Sequence, residues 1–270
     1  MKKHPTPAVR VEPATFRLAD LDPDTTAPFA SKQAAEKRLA HLRPRLAELQ
    51  ELLYAEHTRS LLLVFQAMDT GGKDGAIEKL LTGVNPAGVQ VAAFKAPTQY
   101  ELDHDFLWRI HAQTPRRGHI GVFNRSHYED VLVVRVHGVL PEAECRARYA
   151  DINAFEDLLA RNGTRILKFY LQISLAEQAQ RLQARLDDPA KRWKFDPNDL
   201  KERNCWPQYQ VALQDALAAT STAAAPWYVV PANAKWARDL AIMEIVVAAL
   251  EEMNPQPPAA TFDVAAQVIE

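Results

Sequence analysis

The sequence predicts an α/β domain with a mostly parallel sheet and helices on both faces. Three observations predict it. Apolar runs of strand length alternate along the chain with longer segments of helical period. One run, Leu61-Leu62-Leu63-Val64-Phe65, is apolar at every position, as a central parallel strand covered on both faces requires. It leads through Ala67-Met68-Asp69-Thr70-Gly71-Gly72-Lys73-Asp74-Gly75, a glycine-bearing loop, into a helical segment.

Residues 1–30 carry Pro, Asp and Thr without a clear period and read as an extended arm laid on the domain. Ser31 is a good helix N-cap. Leu39, Leu42, Leu46, Leu49 and Leu53 then recur at spacings of three and four, an apolar stripe for core packing on a helix that Pro44 would kink. After the glycine loop, residues 76–81 continue as a helix, Asn85-Pro86-Ala87-Gly88 forms a turn, and residues 89–94 form a second strand. One helix is expected over residues 99–114, closed by Pro115-Arg116-Arg117-Gly118, before a third strand at 119–123. A helix over 142–162 stopped by Gly163, a strand over 165–173 and a helix from its cap Ser174 to Asp187 follow. Residues 188–197 break the helical pattern, and another helix begins near Asp199. The fifth strand, residues 227–230, precedes a last helix over 235–253 and a proline-containing tail. The expected division is an arm at 1–30, a single domain at 31–255 and a tail at 256–270.

Acidic and basic residues nearly balance, 34 against 32, so net charge advertises no polyanion partner and any such site must be local. Met1-Lys2-Lys3-His4-Pro5 opens onto polar sequence without an apolar segment, and no stretch approaches a membrane span. Cys145 and Cys205 are isolated thiols without metal-ligand spacing, which suits a reducing compartment. The expectation is a cytoplasmic protein that contacts neither membrane nor nucleic acid.

Three stretches carry chemistry. The glycine loop partly matches G-x-x-x-x-G-K-[S/T], whose amides and following helix dipole surround a phosphate while the lysine adds a full charge. Ala67 replaces the first glycine and Asp74 the hydroxyl residue; Asp74 reads as a helix N-terminal acid. Lys73 sits where the helix dipole disfavours a cation, a penalty that a bound anion removes. Asp69 among phosphate-binding amides suggests a divalent metal between carboxylate and phosphate, the bland alternative being a residue that closes a turn. The second stretch, Phe123-Asn124-Arg125-Ser126-His127-Tyr128-Glu129-Asp130, lies just past a strand's carboxyl end, where ligands of open α/β sheets collect. Arg125 can fork onto phosphate oxygens, Glu129 or Asp130 can bind metal or nucleoside, and His127 and Tyr128 read as residues that pack or orient their neighbours, outside the chemistry. The third, Asp187-Asp188-Pro189-Ala190-Lys191-Arg192-Trp193-Lys194-Phe195, suits a lid closing over phosphates, with Arg181 and Arg185 on the preceding helical face. A solvent-facing basic loop is its bland reading.

Together, Asp69-x-x-Gly72-Lys73-Asp74-Gly75, Pro97-Thr98-x-x-Glu101, Phe106-Leu107-Trp108-Arg109, the stretch from Phe123 to Leu132, and Asp188-Pro189-x-Lys191-x-Trp193-Lys194 resemble the polyphosphate kinase 2 family. The Asn-Arg-Ser-His-Tyr-Glu version is similar to the class III subgroup, which accepts both AMP and ADP. The resemblance implies a P-loop kinase-like three-layer fold with a parallel five-stranded sheet, helices on both faces and a helical lid at about 181–205. It implies catalytic roles for Asp69, Lys73, Arg125, Arg181 and Arg192, with Asp69 the metal ligand for Mg2+, for which Mn2+ can stand in. Polyphosphate would meet Gly71, Gly72, Lys73, Asp74, Gly75, Lys191 and Arg192; the nucleotide would meet Pro97, Thr98, Asn124, Arg125, Glu129 and Asp130. Asn124 stands where other members carry a carboxylate, so the resemblance does not make it a direct metal ligand. The implied activity is reversible, Mg2+-dependent transfer of the terminal phosphoryl group of inorganic polyphosphate to AMP and ADP, giving ADP and ATP, by a homo-oligomer, dimer or tetramer. An ATP-dependent nucleoside or nucleotide kinase on the same fold is the alternative enzyme, and a nucleic-acid-binding module the alternative of another class.

Overall fold

The computed structural model describes residues 5–262 together with 264, 267 and 269, so what was expected of residues 1–4 and of much of the tail's end lies outside the described residues. In chain order these form β1 (Val9–Arg10), α1 (Lys32–Glu56), β2 (Ser60–Gln66), α2 (Lys73–Leu81), β3 (Val89–Ala93), α3 (Gln99–Leu102), α4 (Trp108–His111) and β4 (Ile120–Asn124). There follow α5 (Glu129–Val136), α6 (Glu142–Arg161), β5 (Thr164–Gln172), α7 (Leu175–Asp187), α8 (Asn198–Asn204), α9 (Trp206–Thr220), β6 (Trp227–Pro231) and α10 (Lys235–Met253).

Alternation along β2 divides the core in two. Leu61, Leu63 and Phe65, with Leu167, Phe169 and Leu171 of β5, pack under α1, α2 and α10. Leu62 and Val64, with Ile166 and Tyr170, face α5, α6 and α9. Each such side chain contributes about 1.5–3 kcal/mol on burial, and two covered faces explain why β2 is apolar at every position from Leu61 to Phe65. The sheet order is β1-β6-β5-β2-β4-β3. The five strands read from the sequence are parallel to their neighbours. The sixth, from the arm, pairs Val9 and Arg10 antiparallel with Val229 and Tyr228. Only tertiary pairing makes so short a stretch a strand, and beyond it Val11, Phe16 and Leu18 are buried in the second core.

Helix α1 starts as expected, with the Ser31 hydroxyl accepting from the Ala34 amide, and it continues through Pro44. All five leucines of its stripe are buried. The helix expected over 99–114 is instead two short ones, α3 and α4. Asp105 competes for the backbone between them: its carboxylate accepts from the Leu107 amide and its carbonyl from the Trp108 amide. Helix α5 was not anticipated, because Val131, Val133, Val134 and Val136 have strand propensity; packing against α6 and α9 overrides it.

With β4 on one side of β2 and β5 on the other, the strand order reverses at β2, and ligands of open sheets bind outside the carboxyl ends at such a point. The segments leaving β2, β4, β5 and β6 all emerge on that edge.

Candidate active site

The loop after β2 is shaped by close approach. A Cβ on Gly71 would stand 2.4 Å from the Ala67 Cβ and 2.8 Å from the Met68 carbonyl oxygen, so glycine is required there. Gly72, with φ +91°, turns the chain into α2, whose first amides have no partner within the helix. Lys73 opens that helix, is buried, and donates from Nζ to the Ala67 carbonyl at 3.0 Å. Burial, and then Arg125, lower its pKa, while Asp69, Glu129 and Asp74 act the other way.

Four strand ends each deliver a cation to this loop. Lys73 follows β2, and Arg125, with φ +62°, follows β4 and donates to Asp69 Oδ1 at 2.9 Å. After β5, Arg181 of α7 donates to the carbonyls of Thr70 at 3.0 Å and Ala232 at 2.6 Å, with Nε on Glu177 at 2.7 Å. After β6, Arg238 in the first turn of α10 is buried and donates to the Gly72 carbonyl at 3.2 Å and to Asp239 at 2.6 Å. Lys235, which opens the same turn, has its pKa lowered by burial and then by Arg181 and Arg238. These cations line a cavity of about 650 Å³ with the loop from Asp69 to Gly75, Lys191 and Lys194.

A second cavity, about 470 Å³, adjoins it. Glu129, Asp130 and Arg109 line its polar side, and Leu102, Val133 and Val139 its apolar side. Burial pushes the Glu129 carboxyl up against the opposing pull of Arg125 and Lys73. With its amide nitrogen turned toward α5, Gln66 reaches Glu129 Oε1 at 2.9 Å. Asp130 is likewise pushed up by burial, with Arg109 3.6 Å away opposing it. Asp69, Phe94, Lys95, Arg125 and Asp199 line both cavities, so the two meet at Asp69 and Arg125. Asp199 of α8 accepts from Arg185 at 3.2 Å, and its carboxyl is raised to about 6 by burial and then by Asp69.

Asp69, Gly71, Gly72, Lys73, Asp74, Gly75, Asn124, Arg125, Arg181 and Lys191 thus gather around the first cavity, and Pro97, Glu129 and Asp130 around the second. Asn124 donates to Asp74 Oδ1 at 2.6 Å, tying the β4 end to α2. Two expected residues are elsewhere. Arg192 is exposed and donates from Nε to the Leu186 carbonyl at 2.7 Å, serving the carbonyl end of α7. Thr98 lines neither cavity; its hydroxyl accepts from the Glu101 amide in a capping box at the start of α3. Sequence reasoning missed Lys235, Arg238 and Asp199. A signal existed for the first two: like Lys73, they are cations in the first turn of a helix following a parallel strand, where the dipole disfavours them.

Among the described residues no group of three or more His, Cys, Asp or Glu side chains converges as a metal cage. Mg2+ does not need one, since it is held by one or two carboxylates with water and substrate phosphates completing its shell. Asp69 at the junction, with Asp199 near enough to feel its charge, fits that donor set.

Comparison with known proteins gives a family match. The family description "Polyphosphate kinase 2 (PPK2)" matches residues 29–258. The chain is 53% identical over 260 residues to an AMP/ADP-polyphosphate phosphotransferase of Meiothermus ruber, covering 96% of each protein. It is 43% identical over 245 residues to an ADP-polyphosphate phosphotransferase of Rhodopseudomonas palustris, covering 86% of this chain and 85% of the relative. Its fold superposes on the crystal structure of polyphosphate kinase 2 from Arthrobacter aurescens with a TM-score of 0.92 and 49% identity, covering 95% of this chain and 92% of that one.

Proposed function

The chain belongs to the polyphosphate kinase 2 family, and on that premise we propose that it transfers the terminal phosphoryl group of inorganic polyphosphate to AMP and to ADP, giving ADP and ATP. The observation that carries the reading is the contrast between the two cavities. The first is walled by glycine amides and by cations that outnumber its carboxylates Asp69, Asp74 and Asp199, with Ala93, Phe94 and Ala184 as its apolar lining, and offers a long anion much and a nucleobase little. The second combines carboxylates with an aliphatic wall, which suits a nucleoside. Polyphosphate therefore occupies the first and the acceptor nucleotide the second. An ATP donor would need a base slot beside the loop.

In the transfer, an anionic oxygen of the acceptor phosphate bonds to the terminal phosphorus of polyphosphate, and the bond from that phosphorus to the bridging oxygen breaks. The shortened chain leaves with the bonding electrons, no proton moves, and the reaction is reversible. No general base is needed; the barrier lies in aligning two polyanions and neutralising charge on the phosphoryl in flight. Lys73, Arg181, Arg238 and the loop amides hold the donor. Arg125, at the junction, exchanges its Asp69 partner for phosphate oxygens. Asp69 would hold Mg2+, or Mn2+ in its place, which when bound neutralises phosphate oxygens of donor and acceptor. Residues 181–205 act as the lid, bringing Lys191 and Lys194 over the donor; Arg192 joins them only if it releases Leu186.

Two unpaired cysteines and the absence, among the described residues, of any helix long and apolar enough to cross a membrane support a cytoplasmic setting. Exposed Val91 and Val211 offer surface that a homo-oligomer, dimer or tetramer, would cover. The deciding experiment supplies AMP, Mg2+ and short polyphosphate without ATP and follows nucleotides over time. ADP followed by ATP is expected; no product without added ATP refutes the reading.

A further inference from the structure

Directly beneath the turn of residues 124–130, between β4 and α5, lies a buried ionic network that the phosphoryl-transfer chemistry does not touch. Lys168, in the middle of β5, is completely buried, and its ammonium spends all three protons: on Glu156 Oε2 of α6 at 2.5 Å, the Thr220 carbonyl of α9 at 2.7 Å and the Tyr128 hydroxyl at 2.8 Å. It also lies 5.2 Å from the ring centroids of Tyr128 and Trp227. The other oxygen of Glu156 faces the Tyr128 hydroxyl at 3.0 Å and His127 Nε2 at 3.3 Å. Thr220 Oγ1 accepts from Trp227 Nε1 at 2.9 Å and stands 2.9 Å from the Tyr128 hydroxyl.

Stability alone is a poor reason for this arrangement. Removing an ammonium and a carboxylate from water is costly, and apolar side chains of similar volume commonly serve a core as well or better. What the network does possess is an address. His127 and Tyr128, both buried, lie between Arg125 and Glu129 in sequence, and those two face the cavities. Arg125 holds a left-handed backbone, φ +62°, that a non-glycine residue keeps only when its surroundings enforce it. Inside the turn, β5, α6 and α9 grip the His127 and Tyr128 side chains; outside it, Arg125 and Glu129 meet the substrates.

We propose that Lys168, Glu156 and Tyr128 are positioning residues that set the placement of Arg125 and Glu129 against the acceptor nucleotide. The inference rests on the assignment of the second cavity to the acceptor. The donor loop hangs from β2 and α2 and meets the turn of residues 124–130 through the Arg125–Asp69 pair, whereas Glu129 lines the second cavity and not the first, so the effect falls chiefly on the acceptor. Two variants test it: Lys168→Met combined with Glu156→Leu, which replaces the ion pair with apolar side chains, and Tyr128→Phe, which leaves that pair intact and removes only the hydroxyl link. The expected result is a folded protein whose kcat/KM for AMP falls roughly 10- to 100-fold, while KM for polyphosphate stays within about twofold of wild type. A folded variant with unchanged kcat/KM for AMP, or with both KM values raised together, overturns the proposal; should the double variant not fold, Tyr128→Phe decides by the same criteria. Wild type runs alongside. If wild type makes no ADP, the functional reading fails by itself, and amide hydrogen exchange at residues 124–130 decides the positioning claim. Faster exchange there in Tyr128→Phe supports it, and unchanged exchange refutes it.

Discussion

Replacing Gly72 with alanine strains two features of the donor loop at once, and the structure separates them. Gly72 has φ +91°, and a Cβ there would stand 2.3 Å from Arg238 Nη1 and 3.4 Å from Arg181 Nη1. A left-handed backbone costs a non-glycine residue about 1–2 kcal/mol. The Arg238 guanidinium must also move, giving up its 3.2 Å hydrogen bond to the Gly72 carbonyl, and bonds from charged donors are worth about 1.5–3 kcal/mol. Gly72→Ala should therefore destabilise by about 2.5–5 kcal/mol. Gly83 is the control: its φ is +86°, but a Cβ there meets nothing within 4 Å, so only the backbone contribution applies. Urea unfolding of both variants gives the difference, about 1.5–3 kcal/mol, and steady-state assays should show KM for polyphosphate raised by Gly72→Ala and unchanged by Gly83→Ala. Equal destabilisation by the two substitutions would refute the claim that Arg238 packs against the loop.

Lys73→Met should lower kcat by about 10²–10³-fold or more without loss of stability. Burial lowers the lysine pKa, so its favourable contribution to folding is present above the ordinary value of 10.5 and is lost as pH falls through the lowered one; burying the charged form is a cost, and a large drop in the urea midpoint on substitution would contradict this. Asp199, raised to about 6, has the opposite sign: its contribution to stability is complete below its ordinary 3.8 and is lost as pH rises through about 6. The kcat/KM profile should carry a step near pH 6 that Asp199→Asn removes, and a step surviving in that variant would rule out Asp199 as its source. Raising salt should weaken polyphosphate binding more steeply than AMP binding, because the first cavity gathers the cations; parallel salt slopes for the two KM values would count against the assignment of cavities.

The strands and the glycine loop were legible because both are local. A strand covered on two faces must be apolar at every position, as Leu61 to Phe65 is, and a close turn beside Ala67 must be glycine, as Gly71 is. That Arg125 and Glu129 stand at the cavities was legible from their place just past a strand end. The helix over 99–114 misled because its composition carried no sign that Asp105 would take the Leu107 amide, and α5 was hidden by valines whose packing partners lie on α6 and α9.

By itself, then, the sequence determined the parallel core, the glycine loop and the stretches that could bear charge, since each follows from backbone geometry and neighbouring residues. Tertiary structure alone decided which charges meet. Thr98 and Arg192 satisfy helix ends, while Lys235, Arg238 and Asp199 join the site from segments far along the chain. A cation on an amphipathic helix looks the same in sequence whether it faces solvent or a phosphate. Its partner is chosen by how the helices pack on the sheet, and that packing is a property of the whole chain.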